Sequence, residues 1–262
     1  MGDLLQGKRG LVMGVANDHS IAWGIAKAVA AEGAELAFSY QGDAFGKRVQ
    51  PLAASVGSDF LLDVDVTDDA SLDAAFAAIA DRWGKLDFVV HAIAFSNKNE
   101  LTGRFMNTSR ANFKHSLEIS CYSLIEVARR AHPLMSAGGS LITLTYGGSN
   151  RVTPFYNVMG VAKAALESTV RYLANDLGPD RIRVNAISPG PMKTLAGAAI
   201  GGARKTFRHT EANAPLRKNA TLEAIGGTAV WMLSDWGACT TGEIVLVDGG
   251  YHVLGMPQSE NL

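Results

Sequence analysis

Three residues that could perform chemistry, Tyr146, Tyr156 and Lys163, lie within the stretch 145–163, TYGGSNRVTPFYNVMGVAK. If the chain is helical from Asn157 onward, the seven positions from Tyr156 to Lys163 make almost two turns. The two side chains then share one face, about 10 Å apart along the axis. A phenol that donates a proton beside an ammonium that holds a ribose suits hydride chemistry. The same pair also reads as a half-buried tyrosine and a solvated lysine on an ordinary helix. The elements around the pair must decide.

The composition narrows the field. A chain of 262 residues with 47% hydrophobic and 19% charged residues is that of an ordinary globular α/β protein, without the signature of disorder. A formal net charge of -1 gives no basic excess to attract nucleic acid. Cys121 and Cys239 are too few for a disulfide framework or zinc site and read as buried free thiols in a reducing compartment. The six histidines form no HxH or HExxH pattern, so no metal is expected. The N-terminus lacks the pattern of a signal peptide, and Gln6 argues against myristoylation of Gly2. No window approaches about 18 consecutive apolar residues. The expectation is a soluble cytoplasmic protein with no membrane and no nucleic-acid partner.

Short apolar runs and amphipathic stretches alternate along the chain. Strands are expected at 9–15, 35–40, 60–66, 86–94, 140–145, 182–187 and 243–247. Helices are expected at 21–32, 45–56, 68–83, 109–132, 157–177 and 222–234, with Pro51 kinking the second or shifting its boundary. Strands that are apolar throughout, each followed by a helix, make a parallel sheet covered on both faces. The fold class is therefore α/β: one Rossmann-type doubly wound domain, 1–262, with about seven parallel strands.

Ligands of such sheets bind beyond the carboxyl ends of the strands, at the switch point. The first strand-to-helix turn runs from Gly14 to Ser20 and Ile21, where backbone amides and the helix dipole can hold a pyrophosphate. It is not GxGxxG. The Ser20 hydroxyl can cap the helix, donate to a phosphate oxygen, or both. The second strand ends at Tyr40-Gln41-Gly42-Asp43, with no cation before Lys47 and Arg48 to meet a 2′-phosphate, which favours NADH over NADPH. Asp65 and Val66, after the third strand, offer a carboxylate and an amide to an adenine. Asp65 reads equally well as a residue opening the next helix.

Five segments share a family pattern: GVANDHSIAWGIA, Asp65-Val66, HAIAF at 91–95, YNVMGVAK and PGPMKTLA. Together they resemble the bacterial enoyl-[acyl-carrier-protein] reductase branch of the short-chain dehydrogenases, over residues 5–253. Ordinary members of that superfamily space the pair Tyr-x-x-x-Lys, whereas here six residues intervene and position 159 is Met. Their Asn-Asn-Ala-Gly turn after the fourth strand is replaced by His91-Ala92-Ile93-Ala94.

The resemblance implies roles. Gly14, Ser20 and Ile21 would hold the pyrophosphate region, Gln41 the adenosine side, and Asp65 and Val66 the adenine. Ile93 would lie by the ribose and Lys163 would bond the nicotinamide ribose. Met192, Lys193, Thr194, Leu195 and Ala196 would run along the nicotinamide and pyrophosphate. Tyr156 would donate to the thioester oxygen as hydride adds to the β-carbon of a trans-2-enoyl thioester, with Tyr146 shaping the pocket. Lys163 would lower the phenol pKa. Ser96 (usually Ala in the family), Met159 and Ile200 would contact the acyl substrate. A mobile lid is expected at about 194–210, with Gly201, Gly202, Ala203 and Thr206 where bulkier residues are common. Its Arg204, Lys205 and Arg208 read as a solvated helix face or, as a cluster, as a surface for the acidic acyl carrier protein. A homotetramer follows by resemblance. The alternatives are a carbonyl (3-ketoacyl) reductase of the same fold, which the six-residue spacing opposes, and a non-catalytic dinucleotide-binding subunit.

Overall fold

The computed structural model describes residues 2–198 and 202–261. Its middle layer is one sheet of seven parallel strands in the order β3-β2-β1-β4-β5-β6-β7. The strands are β1 (Arg9–Met13), β2 (Glu35–Tyr40), β3 (Phe60–Asp63), β4 (Phe88–His91), β5 (Gly139–Leu144), β6 (Ile182–Pro189) and β7 (Ile244–Val247). The order reverses between β1 and β4, so the crevice lies where Met13 pairs with His91.

Nine helices accompany the sheet among the described residues: α1 (Ile21–Ala31), α2 (Asp43–Ser55), α3 (Asp69–Trp83), α4 (Arg110–Leu117), α5 (Ser123–Ala131), α6 (Asn157–Leu177), α7 (Leu195–Ala198), α8 (Ala203–Asn213) and α9 (Leu222–Leu233). Side chains of α1, α2 and α9 form one core cluster with Val12, Phe38 and Phe88 of the sheet. Those of α3, α5 and α6 form the other with Leu11, Val89 and Val184. Alternate residues of each strand thus face opposite layers, which is why the strands read as unbroken apolar runs. The closest helix contact, α1 against α9, depends on small residues. A Cβ on Gly226 would lie 2.7 Å from the Ala28 Cβ.

The differences from the expected boundaries have local causes. β1, β3 and β4 end two to three residues early, because Val15 and Val64 are buried at the rim of the crevice after leaving the ladder. Asp68 is the cap of α3 and not its first residue; its side chain accepts from the Ala70 amide. α2 begins at Asp43 and runs through Pro51. The helix expected at 109–132 is divided into α4 and α5 by a π-turn over Glu118–Tyr122. The segment after Pro189 is more helical than its glycine content suggests. Cys121 is buried as expected, but Cys239 is exposed.

Candidate active site

At the β1–α1 turn, Gly14 has φ 93°, and a Cβ there would run into the Ala92 carbonyl. The Ser20 hydroxyl does not cap α1. It accepts from the Ala16 and Asn17 amides, both at 3.0 Å, and lies 3.2 Å from Asn17 Oδ1, to which it donates. The residue therefore orders the turn, and no side chain caps the N-terminus of α1. α3, α4 and α9 each have a side-chain cap. An uncapped positive helix end behind a glycine turn fits a pyrophosphate.

Gln41 and Asp65 come together at the ends of β2 and β3. Asp65 Oδ1 accepts from the Thr67 amide at 2.9 Å and the Thr67 hydroxyl at 2.7 Å. Those bonds, the backbone one first, and the Gln41 side chain hold its carboxyl below the usual range despite partial burial. Asp65 therefore closes a tight turn ahead of the helix that Asp68 caps, and its ionised carboxylate suits an adenine amino group. Val66 and Ile93 pack against the core beside the crevice.

Tyr156 is almost fully buried, and Phe155 and Asn157 on either side of it have φ 62° and 35°. Left-handed backbone at two non-glycine residues persists only where the surroundings impose it. Here the Asn157 side chain donates from Nδ2 to Glu100 O at 3.1 Å and Thr102 O at 3.4 Å, tying the start of α6 to the loop after β4. The Tyr146 ring meets Tyr156 edge-on, centroids 5.2 Å apart, within a small cluster holding Leu101, Val158, Met159 and Leu117.

The structure reverses one expectation. Burial first, with the proximity of Tyr146 and Glu167, pushes the Tyr156 phenol well above its ordinary range, so Lys163 does not lower it. Lys163 is itself buried and donates to Leu144 O at 2.8 Å. Burial pushes its ammonium down to about 8, against the opposing influence of Cys121 and Glu167. Tyr156 is therefore a protonated donor throughout the neutral range. Lys163 stays mostly cationic at neutral pH, with its ammonium at the end of β5.

Ser96 is bound within a polar cluster. It accepts from Ser116 Oγ at 2.8 Å and lies 3.3 Å from Asn112 Oδ1, which also accepts from the Asn97 amide at 3.0 Å. Ser120 of the π-turn accepts from the Phe95 amide at 3.0 Å and lies 3.8 Å from Met159 Sδ. The loop after β4 is thereby fixed over the tyrosine cluster. Of the segment after β6, Thr194 Oγ1 accepts from the Gly197 amide at 2.9 Å and opens α7. Met192 is half-buried, Leu195 is exposed, and Lys193 Nζ sits 4.6 Å from the Phe207 ring, directed at α8. Ile200 and Gly201 lie outside the described residues, as does the side chain of Ala196.

Sequence reasoning assigned His91 no role, although its segment was singled out. It is fully buried, with Nδ1 3.0 Å from Thr143 Oγ1 and Nε2 2.8 Å from Ser123 Oγ. Burial, with the nearby Lys163 charge, pushes it down to about 3, so it is a neutral hydrogen-bonded strut beneath the site. Ser120 and Asn112 were also missed; their roles depend on the π-turn. Among the described residues no cluster of metal-ligating groups occurs.

Comparison with known proteins agrees over nearly the whole chain. The family model described as Enoyl-(Acyl carrier protein) reductase matches residues 14–252. Enoyl-[acyl-carrier-protein] reductase [NADH] 2 of Rhizobium meliloti is 61% identical over 262 residues, 100% of this chain and 98% of its own. The FabI structure from Candidatus Liberibacter asiaticus superposes with a TM-score of 0.97 at 55% identity, covering 98% of this chain and 100% of that one. A reductase structure from Anaplasma phagocytophilum in complex with NAD gives 0.96 at 55% identity, covering 98% of each chain.

Proposed function

This chain belongs to the enoyl-[acyl-carrier-protein] reductase family, and from that premise we propose how its residues divide the work. It is an NADH-dependent oxidoreductase that reduces the double bond of an enoyl thioester on acyl carrier protein. Bound NADH supplies the hydride that adds to the β-carbon. Tyr156 donates a hydrogen bond from its phenol to the thioester oxygen, where negative charge collects as the enolate forms, and the α-carbon then takes a proton from Tyr156 or through water to complete the saturated thioester. Because burial keeps the phenol protonated, the donor is present whatever the pH in the neutral range. Lys163, whose ammonium lies at Leu144 O, would hold the nicotinamide ribose by hydrogen bonds to its hydroxyls. Tyr146 braces the Tyr156 ring and walls the acyl pocket with Met159 and the Ser96 loop.

Gly14, Ile21 and the uncapped end of α1 take the pyrophosphate, with Ser20 ordering the turn; Gln41, Asp65 and Val66 take the adenosine end, and Ile93 and residues 192–196 flank the nicotinamide. The absence of a cation between Gln41 and Lys47 supports NADH as the preferred cofactor. Residues 194–210 form the lid over the acyl chain. α8 starts against Phe155, next to Tyr156, and its exposed Arg204, Lys205 and Arg208 suit an acidic carrier protein. A homotetramer fits the edge strand β7, whose Leu246 is exposed while its other side chains are half-buried. Among the described residues no helix is long and apolar enough to cross a membrane.

The observation that supports this reading most is the buried Tyr156, met edge-on by Tyr146, at the start of the helix whose Lys163 is buried and bonded to Leu144 O at the end of β5. Its test is NADH consumption with a crotonyl thioester and with a 3-ketoacyl thioester, each repeated with NADPH. The enoyl substrate with NADH is expected to turn over fastest. Consumption with the ketone alone would overturn the assignment of the tyrosine pocket, and a higher kcat/KM with NADPH would overturn the cofactor argument from Gln41.

A further inference from the structure

Beyond β7 the chain adds nothing to the sheet, yet residues 248–261 are joined to the end of α8 by directed bonds. Asn213, the last residue of α8, is 2% exposed. Its Nδ2 donates to His209 O within the helix at 2.8 Å. Its Oδ1 accepts from the Gln258 amide at 2.8 Å and from Asn261 Nδ2 at 3.2 Å. The Gln258 side chain in turn donates to Asn213 O at 2.9 Å. Next to this joint, Arg217 pairs with Glu260 at 2.8 Å, and the Tyr251 ring lies edge-on to His209, centroids 5.9 Å apart.

The same segment reaches the catalytic loop. Arg151, five residues after Tyr146 in sequence, donates from its guanidinium to the His252 carbonyl. Asp248 holds that turn, accepting from the Gly250 and His252 amides at 2.9 Å each. A continuous set of contacts therefore runs from the loop bearing Tyr146, through the C-terminal segment, to the base of α8. The Asn213 amide is suited to the centre of it. One side chain completes its own helix and also accepts two donors from the tail. Alanine would remove the acceptor of both, leaving the half-buried Gln258 amide without its partner.

We propose that Asn213 is a positioning residue: through Gln258 and Asn261, the C-terminal segment fixes the base of α8 relative to the tyrosine pocket, and so sets how tightly the carrier-bound enoyl substrate is held. The inference rests on the reading of α8 as part of the lid. The test compares Gln258→Ala, Asn213→Ala, the double variant and a chain ending at Gly255, each with an enoyl-carrier-protein substrate.

The expected result is a KM raised about tenfold, with kcat and the NADH Kd within about twofold of the parent. The double variant should be no worse than Asn213→Ala alone, since both changes act through one joint. An unchanged KM in folded variants overturns the proposal. So does a parallel fall in kcat and NADH affinity, which is what general loosening gives. If the shortened chain does not fold, Gln258→Ala decides, because it removes one exposed-segment side chain and leaves the backbone bond. Arg204→Glu with Lys205→Glu is run alongside. A raised KM there with unmoved tail variants sinks only the role of Asn213, whereas no change in either set sinks the lid itself.

Discussion

The carboxyl ends of β1, β2 and β3 and those of β4, β5 and β6 border the same crevice but are built differently. In the first half the polar groups satisfy one another in tight turns: Ser20 with Asn17, Asp65 with Thr67, the Gly42 amide with Asp63 at 2.8 Å. This half offers backbone amides and a helix end, with the Asp65 carboxyl held below its ordinary range by its own turn bonds. In the second half, His91, Tyr156 and Lys163 are buried, each displaced from its ordinary pKa chiefly by loss of solvent. Binding an anion needs only shaped backbone, whereas stabilising charge that appears during a reaction needs groups already removed from water.

Removing the phenol probes the second half most severely. Tyr156→Phe is expected to lower kcat by about 10²–10³-fold while the NADH Kd stays within about twofold, read from steady-state rates and cofactor fluorescence. Unchanged turnover would mean that the buried half performs no chemistry. The complementary change in the first half is Gly14→Ala. The forced φ and the collision with the Ala92 carbonyl should weaken NADH binding by about tenfold or more. In that variant kcat at saturating cofactor should recover, so equal losses in both constants would erase the distinction between the halves.

The smallest effect is one of pH. His91 titrates at about 3 in the folded chain against an ordinary 6.5, so between these values the unfolded chain holds a proton that the native one lacks. Its contribution to stability is complete above about pH 6.5 and drains away as the pH falls toward 3. His91→Gln should flatten the decline of urea-measured stability across that window by up to one bound proton. No change in slope would mean His91 is not held neutral.

The two halves were also unequally legible. The seven strands, their parallel order and the glycine turn follow from runs of apolar residues and from Gly14, because main-chain geometry leaves its mark on residue type. Asn157–Leu177 appears as expected, and so do the positions of Tyr156 and Lys163 at its start. The π-turn at Glu118–Tyr122 was not legible, since its single extra residue is stabilised by contacts of Ser120 and Ser123 with loops distant in sequence. The direction of the Tyr156 pKa shift was misread for the same reason. Proximity to a lysine predicted a lowered pKa, but that lysine donates to Leu144 O and the phenol is buried.

The opening pair shows where the division falls. Its spacing, together with four other segments, carried the family resemblance that implied the reaction, while the fold followed from the alternation of apolar runs and helices and the cofactor from the residues ending the second strand. The strained turn from Phe155 to Asn157, the neutral His91 beneath it and the hold of the C-terminal segment on Asn213 were decided by the tertiary structure alone. Each depends on burial or on bonds between residues far apart in the chain, and local residue type does not encode desolvation.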